Sequence, residues 1–195
     1  MLIAVTGNIA SGKSLVAEML REKGCALIDA DKVAHGLYAS NPGLVRELAH
    51  AFGDGIVRQD GTLDRARLGS LVFGSPEALK TLNALVHPHL LTALREEIAS
   101  ARRVMNAVVV DAALIYEWGI QDEFDTVILV AAPEELRVER LMARSGLGRE
   151  DALARVRSQM PEEEKRGLAP LIIENTDDES DLENKIDALW SRIRV

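Results

Sequence analysis

The stretch that most limits what this chain can fold into is Gly7-Asn8-Ile9-Ala10-Ser11-Gly12-Lys13-Ser14, which fits the pattern G-x-x-x-x-G-K-[ST]. Leu2-Ile3-Ala4-Val5 runs into it as a short apolar strand. A helical pattern leaves it, with Leu15, Val16, Met19 and Leu20 apolar and Glu18, Arg21, Glu22 and Lys23 polar. Strand, glycine loop and helix in that order are the context in which this pattern binds phosphate.

The spacing has a chemical reason. Gly7 and Gly12 permit backbone conformations and close approaches that a Cβ would block. The amides of Ala10, Ser11, Gly12, Lys13 and Ser14 can then line an anion-binding concavity at the positive end of the helix that begins there. Lys13 supplies a mobile charge for the β- and γ-phosphates of a nucleoside triphosphate, and the Ser14 hydroxyl is placed to ligate Mg²⁺. The bland alternative is a glycine turn joining a strand to a helix.

Four more strands are expected. Cys25-Ala26-Leu27-Ile28 leads into Asp29-Ala30-Asp31 and then a helix to about Tyr38. Ala107-Val108-Val109-Val110 ends in Asp111, the shape of a strand whose acid helps hold Mg²⁺. Thr126-Val127-Ile128-Leu129-Val130 is closed by Pro133, and Pro170-Leu171-Ile172-Ile173 precedes a last helix carrying Leu182, Ile186, Leu189 and Ile193. Strands alternating with helices give a doubly wound parallel sheet of about five strands. The carboxyl ends of such strands share one edge, so Asp31 is placed near the phosphate loop as a candidate general base, or else as the cap of its helix.

Residues 40–105 are mostly helical, too long for a plain crossover, and read as an inserted helical subdomain. Pro88, within His87-Pro88-His89, should kink or restart the long helix carrying Leu79, Leu82, Val86, Leu90, Leu94 and Ile98. Farther on, Arg137, Arg140 and Arg144 recur at i, i+3 and i+7 and are expected on one helix face; Arg140 and Arg144 have no acid three or four positions away. Such a face suits a polyphosphate. Ser145-Gly146-Leu147-Gly148 then turns into a second helix with Leu153, Val156 and Met160. The hairpin reads as a lid closing over the triphosphate.

The net charge of −8 argues against a general nucleic-acid or membrane-surface binder. Cys25 is the only cysteine, which excludes an intrachain disulfide, and is expected as a small buried hydrophobe. No apolar run approaches a membrane span, so a cytoplasmic protein is expected. A regulatory GTPase is the rival from another class: Asn184-Lys185-Ile186-Asp187 fits N-K-x-D, a guanine-reading pattern. The match falls inside the last amphipathic helix rather than after a strand, and the sequence contains no D-x-x-G.

Taken together these residues resemble the dephospho-coenzyme A kinase family over nearly the whole chain. The likeness includes Thr6 through Ser14, Ile28 to Asp31, Phe52-Gly53, Asp60-Gly61, Leu63-Asp64-Arg65 and Leu82-Asn83 up to His87-Pro88. It continues through Asp111 to Glu117, Glu139 to Arg144, and Gln159-Met160-Pro161 to Lys165-Arg166. The resemblance implies a P-loop kinase-type fold: a core of residues 1–39, 106–132 and 169–195, a helical acceptor-binding insertion at 40–105, and a lid at 133–168. It implies transfer of the ATP γ-phosphate to the ribose 3′-hydroxyl of dephospho-coenzyme A, with Mg²⁺, by a monomer or weak homo-oligomer. Asp31, Lys13 and Arg140 would be catalytic. Gly7, Ala10, Ser11, Gly12, Lys13, Ser14, Leu15, Arg140, Arg144 and Asn175 would bind ATP, with Asn175 near its base. Asp31, Asp64, Arg65 and His87 would bind the acceptor, and Ser14 and Asp111 the metal.

The chain departs from the family in two places. Where the family usually shows D-x-P-L-L-F-E, Asp111-Ala112-Ala113-Leu114-Ile115-Tyr116-Glu117 lacks the proline that would stiffen the loop. Where it shows A-D-x-V-I-D-N, the chain has Ala169-Pro170-Leu171-Ile172-Ile173-Glu174-Asn175. A nucleoside monophosphate kinase would share the loop, sheet and lid but needs a basic acceptor pocket, and the insertion offers few clustered arginines beyond Arg65 and Arg67.

Overall fold

The computed structural model describes residues 1–72 and 75–193. The chain forms two compact units: one takes Met1–Asp29 and the chain from Ala101 onward, the other Ala30–Ser100.

The first unit is built on five parallel strands: β1 (Leu2–Thr6), β2 (Ala26–Asp29), β3 (Val108–Asp111), β4 (Thr126–Ala131) and β5 (Leu171–Glu174). Their order is β2-β3-β1-β4-β5, which puts β1 at the centre. Every residue of β1 and β3 is buried, as strands covered on both faces require. On one face Ile3, Val5, Val109, Ile128 and Val130 pack against α1 (Lys13–Glu22) and α9 (Glu179–Ile193), through Val16, Leu20, Leu182, Ile186 and Trp190. Cys25 belongs to this core. Ile186, fully buried inside α9, makes Asn184-Lys185-Ile186-Asp187 part of a packed helix, so the guanine-reading alternative has no loop to stand on.

Between β4 and β5 lie α6 (Glu134–Ser145), α7 (Arg149–Arg157) and α8 (Glu162–Leu168). Pro133 precedes α6, and Gly146 ends it with a left-handed φ of 68°, the conformation a helix end reaches most easily with glycine. The expected second lid helix is shorter than its apolar pattern suggested. It stops at Arg157, Met160 lies beyond it, and Pro161 starts α8 as a separate helix.

The second unit carries α2 (Ala30–Ser40), α3 (Pro42–Phe52), a 3₁₀ turn at Asp54–Ile56, α4 (Arg65–Val72) and α5 (Pro76–Ala101), the last reaching the first residue beyond it. Leu44 and Leu48 of α3 and Ile56 of the turn are fully buried. Of the kink or restart expected at Pro88, the restart does not occur: a single α5 runs through the proline. Pro88 and Ala84, whose carbonyl loses its intrahelical donor, are both exposed, so water can take that acceptor. Val86, Leu90 and Leu94 keep the buried stripe continuous across the proline.

Candidate active site

β1 delivers the glycine loop to the carboxyl edge of the sheet. Gly7 has a φ of 157°, and a Cβ there would overlap the Val130 carbonyl and Ser11 Oγ. Gly12, at φ 94°, stands so close to Asn175 Nδ2 that a Cβ would collide with it. Ala10 adopts φ 63°, in the left-handed region a residue with a Cβ rarely enters, so the loop is held there from outside.

The expectation that every amide from Ala10 to Ser14 faces an anion holds only in part. Ser11 N donates to Asn8 O at 3.0 Å, closing a turn inside the loop, and Leu15 N donates to Gly12 O at 3.0 Å. Lys13 and Ser14 open α1, where N–H groups lack intrahelical acceptors, and no side chain caps them. Leu15 presents its side chain toward solvent.

Three predicted residues meet at one point. Lys13 Nζ donates to Asp111 Oδ1 at 2.7 Å and lies 3.5 Å from Ser14 Oγ. Asp111 closes β3, beside Val5 of β1 and Asp29 of β2. The carboxylate and hydroxyl are hard oxygen donors, the kind Mg²⁺ takes alongside phosphate oxygens and water. Among the described residues no group of three or more His, Cys, Asp or Glu could hold a metal without such outside ligands.

Asn175, expected near the base, bonds to the loop: its buried Nδ2 donates to Ser11 O at 2.8 Å. The loop after β3, lacking the stiffening proline, is pinned by other means. Ala113 O accepts from Thr6 Oγ1 at 3.1 Å and from Lys165 Nζ at 2.9 Å. Lys165 is fully buried and also pairs with Glu117 Oε1 at 2.8 Å. Glu174, at the second departure, receives Arg166 through two bonds of 2.6 and 2.9 Å, and these hold its carboxyl below the usual range.

The three arginines of α6 share a face by spacing but differ in burial. Arg137 turns inward beside Val138 and Leu141, donates Nε to Ala132 O at 2.9 Å and lies 3.8 Å from Glu162. Burial lowers its pKa. The sequence did carry a signal for this, because Arg137 lies four residues before Leu141 and adjoins Val138 on the same buried stripe. Arg140 is half-buried and Arg144 exposed. Arg140 Nη1 is buried without a hydrogen-bond partner among the described residues, a donor suited to an anion. Arg149–Glu135 and Arg157–Glu134 ion pairs of 2.5 and 2.7 Å tie α6 to α7.

In the second unit, Asp31 is exposed in the first turn of α2, inside the helix rather than capping it. Asp64 caps α4 by accepting from Arg67 N at 3.0 Å, which holds its carboxyl low. Arg65 lies 2.7 Å from His35 Nε2. His87 is half-buried on α5; two residues on, His89 bridges to Asn41 and Glu47 of the α3 segment at 3.2 and 3.4 Å.

The family model described as "Dephospho-CoA kinase" matches residues 1–181. A dephospho-CoA kinase of Carboxydothermus hydrogenoformans is 41% identical over 176 residues, covering 90% of this chain and 85% of that one. The crystal structure of TT1252 from Thermus thermophilus superposes with a TM-score of 0.82 at 42% identity, over 99% of this chain and 97% of that one. The dephospho-CoA kinase of Campylobacter jejuni gives 0.74 at 31% identity, over 98% and 96%. With its phosphate loop, central β1 and α6–α7 hairpin, this chain belongs to the dephospho-CoA kinase family.

Proposed function

We propose that this chain transfers the γ-phosphate of ATP to the ribose 3′-hydroxyl of dephospho-coenzyme A. The carrying observation is the meeting of Lys13, Ser14 and Asp111 at the loop end of a sheet belonging to this family. In the reaction the acceptor oxygen forms a bond to the γ-phosphorus as the β,γ-bridging bond breaks, and that electron pair leaves with ADP. Asp31 orients the attacking hydroxyl and takes its proton. Lys13 leaves Asp111 for the β- and γ-phosphates. The first amides of α1, with Arg140 and Arg144, surround the charge of the transferring group. Ser14 and Asp111 would hold Mg²⁺, which neutralises phosphate charge when bound. The helical insertion at 40–105 is the acceptor-binding part, and residues 133–168 form the lid. No helix among the described residues is long and apolar enough to cross a membrane. Every residue invoked comes from a single chain, so a monomer suffices, working in the cytoplasm.

The test is ADP production with ATP and Mg²⁺ against dephospho-coenzyme A, adenosine, AMP, CMP and no acceptor. Turnover with dephospho-coenzyme A alone, giving a 3′-phosphate, is expected. Turnover with AMP or CMP instead would overturn the acceptor, and ADP release without any acceptor would revive a switch protein.

A further inference from the structure

Gln159 and Met160 follow directly on α7, and both reach the front of the glycine loop. Gln159 Oε1 accepts from Ile9 N at 2.7 Å, and Met160 O accepts from Asn8 Nδ2 at 3.0 Å. Met160 N in turn donates to Glu117 Oε1 at 3.4 Å, the oxygen that also receives Lys165. Ile9 and Ala10 pack against the buried apolar residues of the α6–α7 hairpin, Val138, Leu141, Ala152 and Val156. The loop segment in contact with the hairpin is thus the one whose Ala10 holds a left-handed φ of 63°.

We propose that Gln159 is a positioning residue for phosphoryl transfer. By holding the Ile9 peptide, it keeps the glycine loop in its anion-binding shape and ties that shape to the root of the α6–α7 hairpin. The inference rests on the nucleotide site proposed above and assigns Gln159 no contact with substrate. Ile9 N already donates to the Gln159 side chain, so it is not offered to an anion while that bond holds. Removing that acceptor strands a partly buried donor beside a strained residue, and the peptide can relieve both by turning. The Asn8–Met160 and Ile9–Gln159 bonds join consecutive loop residues to consecutive residues after α7, so they act as one clamp.

The experiment uses the full chain with Gln159→Leu, Asn8→Ala and the double variant. ADP affinity is measured by calorimetry, and KM for ATP and for dephospho-coenzyme A by steady-state kinetics. Q159L should weaken ADP and raise KM for ATP about tenfold, the scale of one lost buried hydrogen bond. KM for the acceptor should stay within about twofold. The double variant should bind ADP about as weakly as the worse single one. ADP affinity in Q159L within about twofold of wild type would overturn the proposal. Equal rises in both KM values, or fully additive losses in the double variant, would also overturn it. Wild-type protein that bound no ADP would defeat the nucleotide site itself, a result distinguishable from failure of the clamp alone.

Discussion

Two lysine–carboxylate pairs lie in the same unit with almost the same separation, Lys13–Asp111 at 2.7 Å and Lys165–Glu117 at 2.8 Å. Their surroundings make them opposites. Lys13 keeps 15% of its side chain exposed at the loop end of the sheet, with Ser14 Oγ as its other polar neighbour. Lys165 is completely buried and shares its protons between a carboxylate and the Ala113 carbonyl. An ammonium that can exchange one oxygen for another suits transient phosphate; one with two fixed acceptors and no exposed surface holds a loop in place. The distance of an ion pair therefore says little about its role, and access to solvent and the remaining acceptors say much more.

Replacing each lysine should separate the two roles. Lys13→Ala should lower kcat by about 10³-fold or more. It should shift Tm by only a few degrees, because the shortened side chain opens at the site and admits water to Asp111. Steady-state kinetics with thermal melts would show this, and a collapse in Tm would erase the contrast. Asp31→Asn tests the proposed base and should lower kcat by about 10²-fold. A near-wild-type kcat would remove Asp31 from the mechanism.

Lys165→Met should act on stability. Glu117, with 22% of its side chain exposed, would lose its ammonium partner. A loss of about 3 kcal/mol is expected, or ~6–12 °C in Tm for a chain of this size. Calorimetry that showed an unchanged Tm with lost activity would make Lys165 a functional group and break the comparison.

Tyr116 gives the smallest effect. Its hydroxyl is buried without a hydrogen-bond partner among the described residues, and burial pushes its pKa up to about 12. Folding therefore favours the protonated phenol. Stability attached to it is complete below about pH 10 and lost as pH rises toward the folded value. Tyr116→Phe should raise Tm by about a degree at pH 7 and flatten the fall of Tm above pH 10. A lower Tm would mean that the hydroxyl has a role.

The elements around the glycine loop were legible because their signals are local. The β1 run, Gly7 to Ser14, the acid ending β3 and the proline opening α6 each read correctly from neighbouring residues. The misreadings share a different cause. Spacing puts Arg137, Arg140 and Arg144 together, but Arg137 belongs to the core stripe and turns to Ala132 O. Pro88 is a helix breaker by local chemistry, yet its exposure allows α5 to continue. Gln159 and Ile9 are 150 residues apart, and Lys165 and Ala113 are 52 apart. Contacts at those separations leave no periodicity to read, and a lysine among Glu162, Glu163 and Glu164 looks like any solvated helix charge.

The central place of β1 also governs how the molecule is made. Its hydrogen-bonded neighbours begin at Val108 and Thr126, and among the described residues β2 pairs only with β3. A nascent chain therefore exposes its first strand, unmatched, for the synthesis of about a hundred residues. At about 5–20 residues per second that is roughly 5–20 s. The whole of Ala30–Ser100 leaves the ribosome in that interval, and its helices depend on contacts within that segment. The helical segment thus precedes β3 and β4 in synthesis, and the glycine loop waits for partners as late as Val130, Gln159 and Asn175 before it can take its final shape.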